Sequence, residues 1–366
     1  MAFRRAAYLV LSLVCLLFGT GFGPPRLTDA DVPRVTFTLH QIRAMRALPR
    51  PEVGATSALL ADMHTGQILY ARNERERLAP ASLTKLVTAL VAIQRGRQDQ
   101  ELKVAGEDLR AWSVIRLQNG EQLNLRQLLF AMLIPSDNAA AMTIARGLGG
   151  NVATYVRWMN EFVAQWGLQD TRFANPSGLD ANNMYSTAYD MAVVARLAMR
   201  DPVIAEIVRK PEWIVAGRII KTTNELLNTY PGTIGVKTGT TDEAGQCLIT
   251  VVERPTGKAL SVVMGTDDRF RDTRLLMDYF FTNFSVVHVR VGETALDTYR
   301  DEAGTLRRLE LAEPLTLLVA PWQADTITFF RRLDNLSATP DPAQPVGALQ
   351  IMMGQRLYRE APLYAR

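Results

Sequence analysis

The sequence predicts an α+β protein: one antiparallel sheet flanked by helices, interrupted by a long helical region and followed by a small all-β unit. Three observations predict it. Strand-like runs bounded by turn residues occur near residues 57–70 and again over 233–266. Between them, from about residue 123 to 207, apolar positions recur at helical spacing. Beyond residue 286 only short alternating runs remain, punctuated by Pro314, Pro321, Pro340, Pro342 and Pro345.

At 366 residues and 48% hydrophobic content, the chain can bury a full-sized core and a second, smaller one. Its formal charge of +4 is spread along the sequence and forms no basic stripe, which argues against nucleic acid as a partner. His40, His64 and His288 are scattered without ligand spacing, so neither a metal nor another cofactor is expected.

Arg4 and Arg5 precede an apolar run from Ala6 to Phe18, which ends in Gly19, Gly21, Pro24 and Pro25. Residues 1–25 therefore read as a secretory signal or an N-terminal membrane anchor. The rest of the chain is then exported to the cell envelope, either secreted or held at the membrane by that segment. Cys15 lies inside the leader and leaves Cys247 alone, so no intramolecular disulfide is expected. Residues 26–50 carry charges, Pro33 and Pro49 without a sustained period and suit a linker.

A catalytic domain is expected over 51–285. Ser57 to Asp62 and Gln67 to Tyr70, joined at His64-Thr65-Gly66, make a hairpin. Pro80 opens a helix with Leu83, Leu86, Val87, Leu90 and Val91 on its apolar side. The helical middle is broken at Pro135, at Gly147 to Gly150 and at Asn175-Pro176-Ser177-Gly178. Strands return at Thr233 to Thr240, Gln246 to Glu253 and Leu260 to Thr266, and Asp268 to Phe284 reads as a closing helix. Residues 286–366 form the small β-rich domain, with strands at Leu315 to Val319, Thr326 to Phe330 and a final one over Met352 to Arg366.

Three short motifs fall in order along the catalytic region: Ser82-Leu83-Thr84-Lys85, Ser136-Asp137-Asn138 and Lys237-Thr238-Gly239. The chain has only six lysines, and the ordered set is a coincidence on the order of one in a few thousand. Three residues apart on a helix, Ser82 and Lys85 share a face, which brings an amine to a hydroxyl. Such a lysine acts as a base only when burial or a like charge depresses its pKa, and Lys237 is the expected like charge. Ser136 follows the breaker Pro135 at a loop-to-helix junction. Its hydroxyl suits proton transfer and the Asn138 amide suits holding a peptide backbone, while Asp137 is expected to point elsewhere. Lys237 to Thr240 sits on a strand whose Gly239 admits close approach of another chain. An extended peptide could pair there with its carboxylate near Lys237, Thr238 and Thr240, the backbone N–H groups of Ser82 and Thr240 forming an oxyanion hole.

With these motifs the chain resembles the serine-type D-Ala-D-Ala carboxypeptidases, low-molecular-mass penicillin-binding proteins of the β-lactamase/transpeptidase-like superfamily. Ala79-Pro80-Ala81 before Ser82, Asn175 to Asp180, Tyr185 to Asp190, Thr223-Asn224 and Gly235 to Gly245 carry the same resemblance. It implies removal of the terminal D-alanine of peptidoglycan stem peptides through an acyl-enzyme on Ser82, with β-lactams as covalent inhibitors. By position it also implies that Arg271 helps hold the substrate carboxylate. No amphipathic membrane-binding helix follows the final strand, so an anchor is expected only at the N-terminus. A D,D-endopeptidase of peptidoglycan cross-links would use the same machinery. A β-lactamase would need a deacylating carboxylate, and no glutamate lies between Phe162 and Ala205. A penicillin or peptidoglycan sensor would acylate or dock without turnover.

Overall fold

In the computed structural model the described residues are 49–291, 297–324 and 326–366; the leader and nearly all of the linker lie outside them. The first strand-like runs become β1 (Ser57–Asp62) and β2 (Ile68–Arg72), joined at the expected turn. Two short ribbons follow, β3 (Glu101–Lys103) with β4 (Gln122–Asn124) and β5 (Glu212–Val215) with β6 (Arg218–Lys221). The strands β7 (Thr233–Thr241), β8 (Gly245–Arg254) and β9 (Gly257–Thr266) complete the main sheet, in the order β2-β1-β9-β8-β7. All of its neighbours are antiparallel, and β1 pairs with β9 from Ser57↔Met264 to Asp62↔Ala259, so segments about 200 residues apart share one ladder. β7 is thereby left at the open edge.

The helices are α1 (Lys85–Arg95), α2 (Leu125–Leu133), α3 (Asn138–Gly149), α4 (Val152–Gln165), α5 (Ala188–Arg200), α6 (Pro202–Val208), the short α7 (Leu226–Thr229) and α8 (Arg269–Asn283). One face of the sheet buries Leu60, Leu248, Val252 and Val263 beneath Leu276, Met277 and Phe280 of α8. The other buries Leu59, Ile249, Val251 and Val262 in the core that holds α1 to α6. Each such side chain removed from water contributes about 1.5–3 kcal/mol. Ala139, Ala140, Ala141 and Ala145 line the buried side of α3, and such small residues let neighbouring helices come close. α1 is buried from Lys85 to Ala92, which places a lysine in the middle of the molecule.

Pro80 does not open an α-helix directly. Ala81–Thr84 make a tight 3₁₀ turn, with Leu83 N–H donating to Pro80 O at 3.2 Å, and the α-helix begins at Lys85. Ala81 has a φ of +47°, outside the helical region, which accounts for the delayed start. The change matters chemically, because residues i and i+3 eclipse in a 3₁₀ turn.

Past α8 come β10 (Ser285–Val289), β11 (Thr298–Arg300), β12 (Leu306–Leu311), β13 (Leu315–Val319), β14 (Ile327–Leu333), β15 (Gly347–Met353) and β16 (Arg356–Ala365). They form a five-stranded sheet, β11-β12-β16-β15-β14, and the pair β10-β13. Tyr299, Leu309, Leu317, Ile351 and Leu363 give this region its own core, while Leu318 packs into the core beneath α8. The final strand is shorter than expected: Met352 and Met353 belong to β15, and a turn at Gly354, with φ +58°, separates them from β16. β14 likewise runs to Leu333, three residues past the expected end, through an arginine pair that alternation did not favour. The β5–β6 ribbon was not anticipated. Its signal is two β-branched runs around Ala216-Gly217, both at positive φ, the turn geometry of a tight hairpin.

Candidate active site

The 3₁₀ turn sets the first contact. Lys85 Nζ lies 2.7 Å from Ser82 Oγ, 2.7 Å from Asn138 Oδ1 and 2.6 Å from the carbonyl oxygen of Ser177. Ser82 is half-buried, whereas Lys85 is fully buried. Three acceptor-capable atoms around one amine would fully engage an ammonium. A neutral amine instead donates to two of them and accepts the third hydrogen bond, from the Ser82 hydroxyl. Burial favours the neutral form and depresses Lys85 to a pKa of about 7, against the opposing pull of the Asp137 carboxylate. Burial, not the charge of Lys237, is thus the cause of the shift in Lys85. The repulsion between the amines falls on Lys237, held well below the ordinary lysine range by burial first and then by Lys85 and Arg269.

The Ser136–Asn138 loop is shaped by its aspartate. Asp137 caps α3 by accepting from Ala140 N–H at 2.8 Å, and its other oxygen accepts from Ser113 Oγ at 2.7 Å and Ile115 N–H at 3.0 Å. It points away from Lys85, as the sequence reading expected. Ser136 sits at a φ of +66°, and its buried hydroxyl finds no hydrogen-bond partner among the described residues. An orphaned buried hydroxyl costs about 1–3 kcal/mol and is explicable at a site where a ligand completes the network. Asn138 accepts from Lys85 through Oδ1, which turns its amide N–H₂ away from the amine.

On β7, alternation divides the third motif between two faces. Gly239 lies against the nucleophile: a Cβ there would come within 2.9 Å of Ala81 Cβ and 3.1 Å of Ser82 N. Lys237, two residues earlier on the same face, is buried, and its Nζ donates to Thr238 O at 2.9 Å. Thr238 and Thr240 face the other way. The Thr238 hydroxyl bonds that of Thr223, and the Thr240 hydroxyl accepts from Arg269 Nη2 at 2.6 Å.

Arg269 is the residue that sequence reasoning missed. Its Nη1 donates to Gly239 O at 2.8 Å and its Nε to Gln246 Oε1 at 3.0 Å, so the guanidinium is fastened beside the strand. Arg271, expected in that role, is exposed and lines a surface cavity with Glu225, Asp268, Phe270 and Arg274. The physical reason is helical phase. With Asp268 as cap and α8 starting at Arg269, a step of two residues turns the side chain away from the sheet. The carbonyl of Ser177 was also unforeseen as a ligand of Lys85. Asn175 Oδ1 accepts from Ser177 N–H and Gly178 N–H, and this side-chain turn aims that carbonyl at the amine. Gly178, at a φ of +87°, packs so close to Ala81 that a Cβ would sit 1.9 Å from its carbonyl oxygen. Ala81, next to the first motif, and Ser136, in the second, are non-glycine residues at positive φ, each costing about 1–3 kcal/mol that the surrounding bonds offset. Among the described residues no three His, Cys, Asp or Glu side chains group as a metal site.

A serine on a buried lysine of depressed pKa, faced by a second serine–asparagine loop and a lysine-bearing open strand, belongs to a serine-type peptidase on this α+β fold. The chain is a member of the D-alanyl-D-alanine carboxypeptidase family, whose profile matches residues 44–268. It is 30% identical to D-alanyl-D-alanine carboxypeptidase DacF of Bacillus subtilis, the match covering 99% of this chain and 94% of that one. A D-alanyl-D-alanine endopeptidase of Pseudomonas aeruginosa is 32% identical over 65% of this chain and 84% of its own length. Among solved structures, penicillin-binding protein 5 from Haemophilus influenzae matches with a TM-score of 0.73 at 25% identity, covering 87% of this chain and 98% of that one. Penicillin-binding protein 6B from Escherichia coli gives 0.71 at 26% identity, over 86% and 96%.

Proposed function

We propose that the protein removes the terminal D-alanine from peptidoglycan stem pentapeptides through an acyl-enzyme on Ser82, outside the cytoplasm, and that β-lactams trap the same serine. The carrying observation is the 2.7 Å contact between Ser82 Oγ and a lysine depressed to about 7 by burial. Lys85 takes the hydroxyl proton as Oγ attacks the penultimate carbonyl. Negative charge on that oxygen is met by the backbone N–H groups of Ser82 and Thr240. The proton then passes by way of Ser136, with Lys237 beside it, to the departing amine, and water resolves the ester. The partnerless Ser136 hydroxyl supports its place as the relay. The substrate carboxylate sits with Arg269 and Thr240, and its charge restores the proton on Lys237 that burial disfavours in the free protein. Export rests on the Arg4-Arg5 and Ala6 to Phe18 leader.

Incubation with a synthetic stem pentapeptide tests this directly. The wild-type protein releases D-alanine and Ser82→Ala releases none; equal release by both would refute the assignment. A cross-linked dimer in the same assay separates exopeptidase from endopeptidase action, to which the likeness to the Pseudomonas protein gives standing.

A further inference from the structure

We propose that Trp112 is a specificity-determining residue, an apolar platform for the side chain of the residue immediately preceding the two D-alanines. The inference rests on the hydrolase reading of the Ser82 site and deepens it. Trp112 is 73% exposed and Val114, two residues on, is 53% exposed. Exposure alone would carry nothing, since single apolar residues on a surface are ordinary. What distinguishes Trp112 is that the protein holds it in place at a cost. Its φ of +66° is an outlier for a bulky aromatic residue.

The bonds that impose this conformation come from the active site itself. Ala139 N–H, one residue past Asn138, donates to Trp112 O at 3.2 Å. Asp137, between Ser136 and Asn138, accepts from Ser113 Oγ and Ile115 N–H. At the far end of the segment Arg218 bonds Glu121 through both of its terminal nitrogens, at 2.6 and 3.0 Å, and reaches Arg116 O. The backbone that carries this exposed indole is therefore fixed next to Asn138 by the same aspartate that caps that asparagine's helix. An exposed aromatic ring on a backbone held in this way is a contact surface whose backbone ordering cost is met before a ligand arrives.

Substrate direction follows from the strand edge. With its carboxylate at Arg269 and Thr240 and its scissile carbonyl at Ser82, a peptide lying along β7 continues past Asn138 toward Trp112. The first side chain able to reach the indole on that side belongs to the residue before the D-alanines. A long, largely aliphatic side chain there would lay its methylenes on the ring, whereas glycine would leave the ring unused.

Two substrates that differ only at that position test the proposal: Nα,Nε-diacetyl-L-lysyl-D-Ala-D-Ala and N-acetyl-glycyl-D-Ala-D-Ala. Trp112→Ala should lower kcat/KM for the lysyl peptide by about five- to tenfold and leave the glycyl peptide unchanged within about twofold. Trp112→Phe should recover most of the loss. Acylation by 6-aminopenicillanic acid, which lacks an acyl side chain, should proceed at the wild-type rate in both variants. Equal losses on both peptides would make Trp112 a structural prop for the Ser136 loop, and no loss on either would mean that the ring touches no substrate; each result overturns the proposal. A wild-type protein that hydrolyses neither peptide would overturn the hydrolase reading and this assignment with it.

Discussion

The depressed pKa of Lys85 makes the rate of serine acylation depend on pH in a way that can be worked out beforehand. If the neutral amine is the base, the second-order rate constant for a β-lactam follows the fraction of Lys85 that is deprotonated in the free protein. With a pKa of about 7, roughly half is neutral at pH 7 and about one molecule in a hundred at pH 5. Acylation should therefore fall about tenfold per pH unit below pH 6 and level off above pH 8. Stopped-flow acylation with a chromogenic cephalosporin, from pH 5 to 9 at constant ionic strength, reads this curve. A rate flat across the range, or one still climbing tenfold per unit between pH 8 and 9, would refute the idea that burial has prepared Lys85 as the base. The same shift has a stability consequence with a definite sign. Between about 7 and 10.5 the unfolded chain still holds the proton that folded Lys85 has released, so Lys85 makes stability increase with pH across that window.

Three substitutions probe the rest of the site. Arg269→Ala removes a guanidinium fastened to Gly239 O and Thr240 Oγ1, and losing one charge-assisted contact to a carboxylate should cost about 1.5–3 kcal/mol, or 10- to 150-fold in kcat/KM for a peptide acid. Arg271→Ala should change it less than twofold, and the reverse ranking in steady-state D-alanine release would restore the position first inferred from sequence. Gly178→Ala forces a Cβ into the Ala81 carbonyl and should destabilise by about 2–4 kcal/mol while displacing Ser82. Unchanged melting and acylation in that variant would contradict the packing beneath the nucleophile.

Local chemistry made the groups that meet at the candidate site readable from the sequence. Ser82, Lys85, Ser136, Asn138 and Lys237 sit in contiguous triplets and quartets, and the breakers Pro80 and Pro135 place the first two motifs at helix starts. The strands that frame them were equally legible, because apolar runs bounded by turn residues are a short-range signal. What escaped depends on phase and on contacts between distant segments. Whether Arg269 or Arg271 meets β7 is decided by where α8 starts, within a single turn of helix. That the Ser177 carbonyl ligates Lys85 across 92 residues leaves no trace in the spacing of either motif. Of the two causes expected for the lysine's depressed pKa, burial acts and the charge of Lys237 does not, because how completely a side chain is buried and which charges reach it are tertiary facts.

The central claim is that the Ser82 oxygen carries the acyl group, and peptide mapping of the penicillin-treated protein by mass spectrometry tests it most directly. The account predicts one penicilloyl adduct, on the tryptic peptide that contains Ser82 and nowhere else, accumulating in step with the loss of D-alanine release. An adduct on Ser136 or on another residue, or full inactivation with Ser82 unmodified, would contradict it.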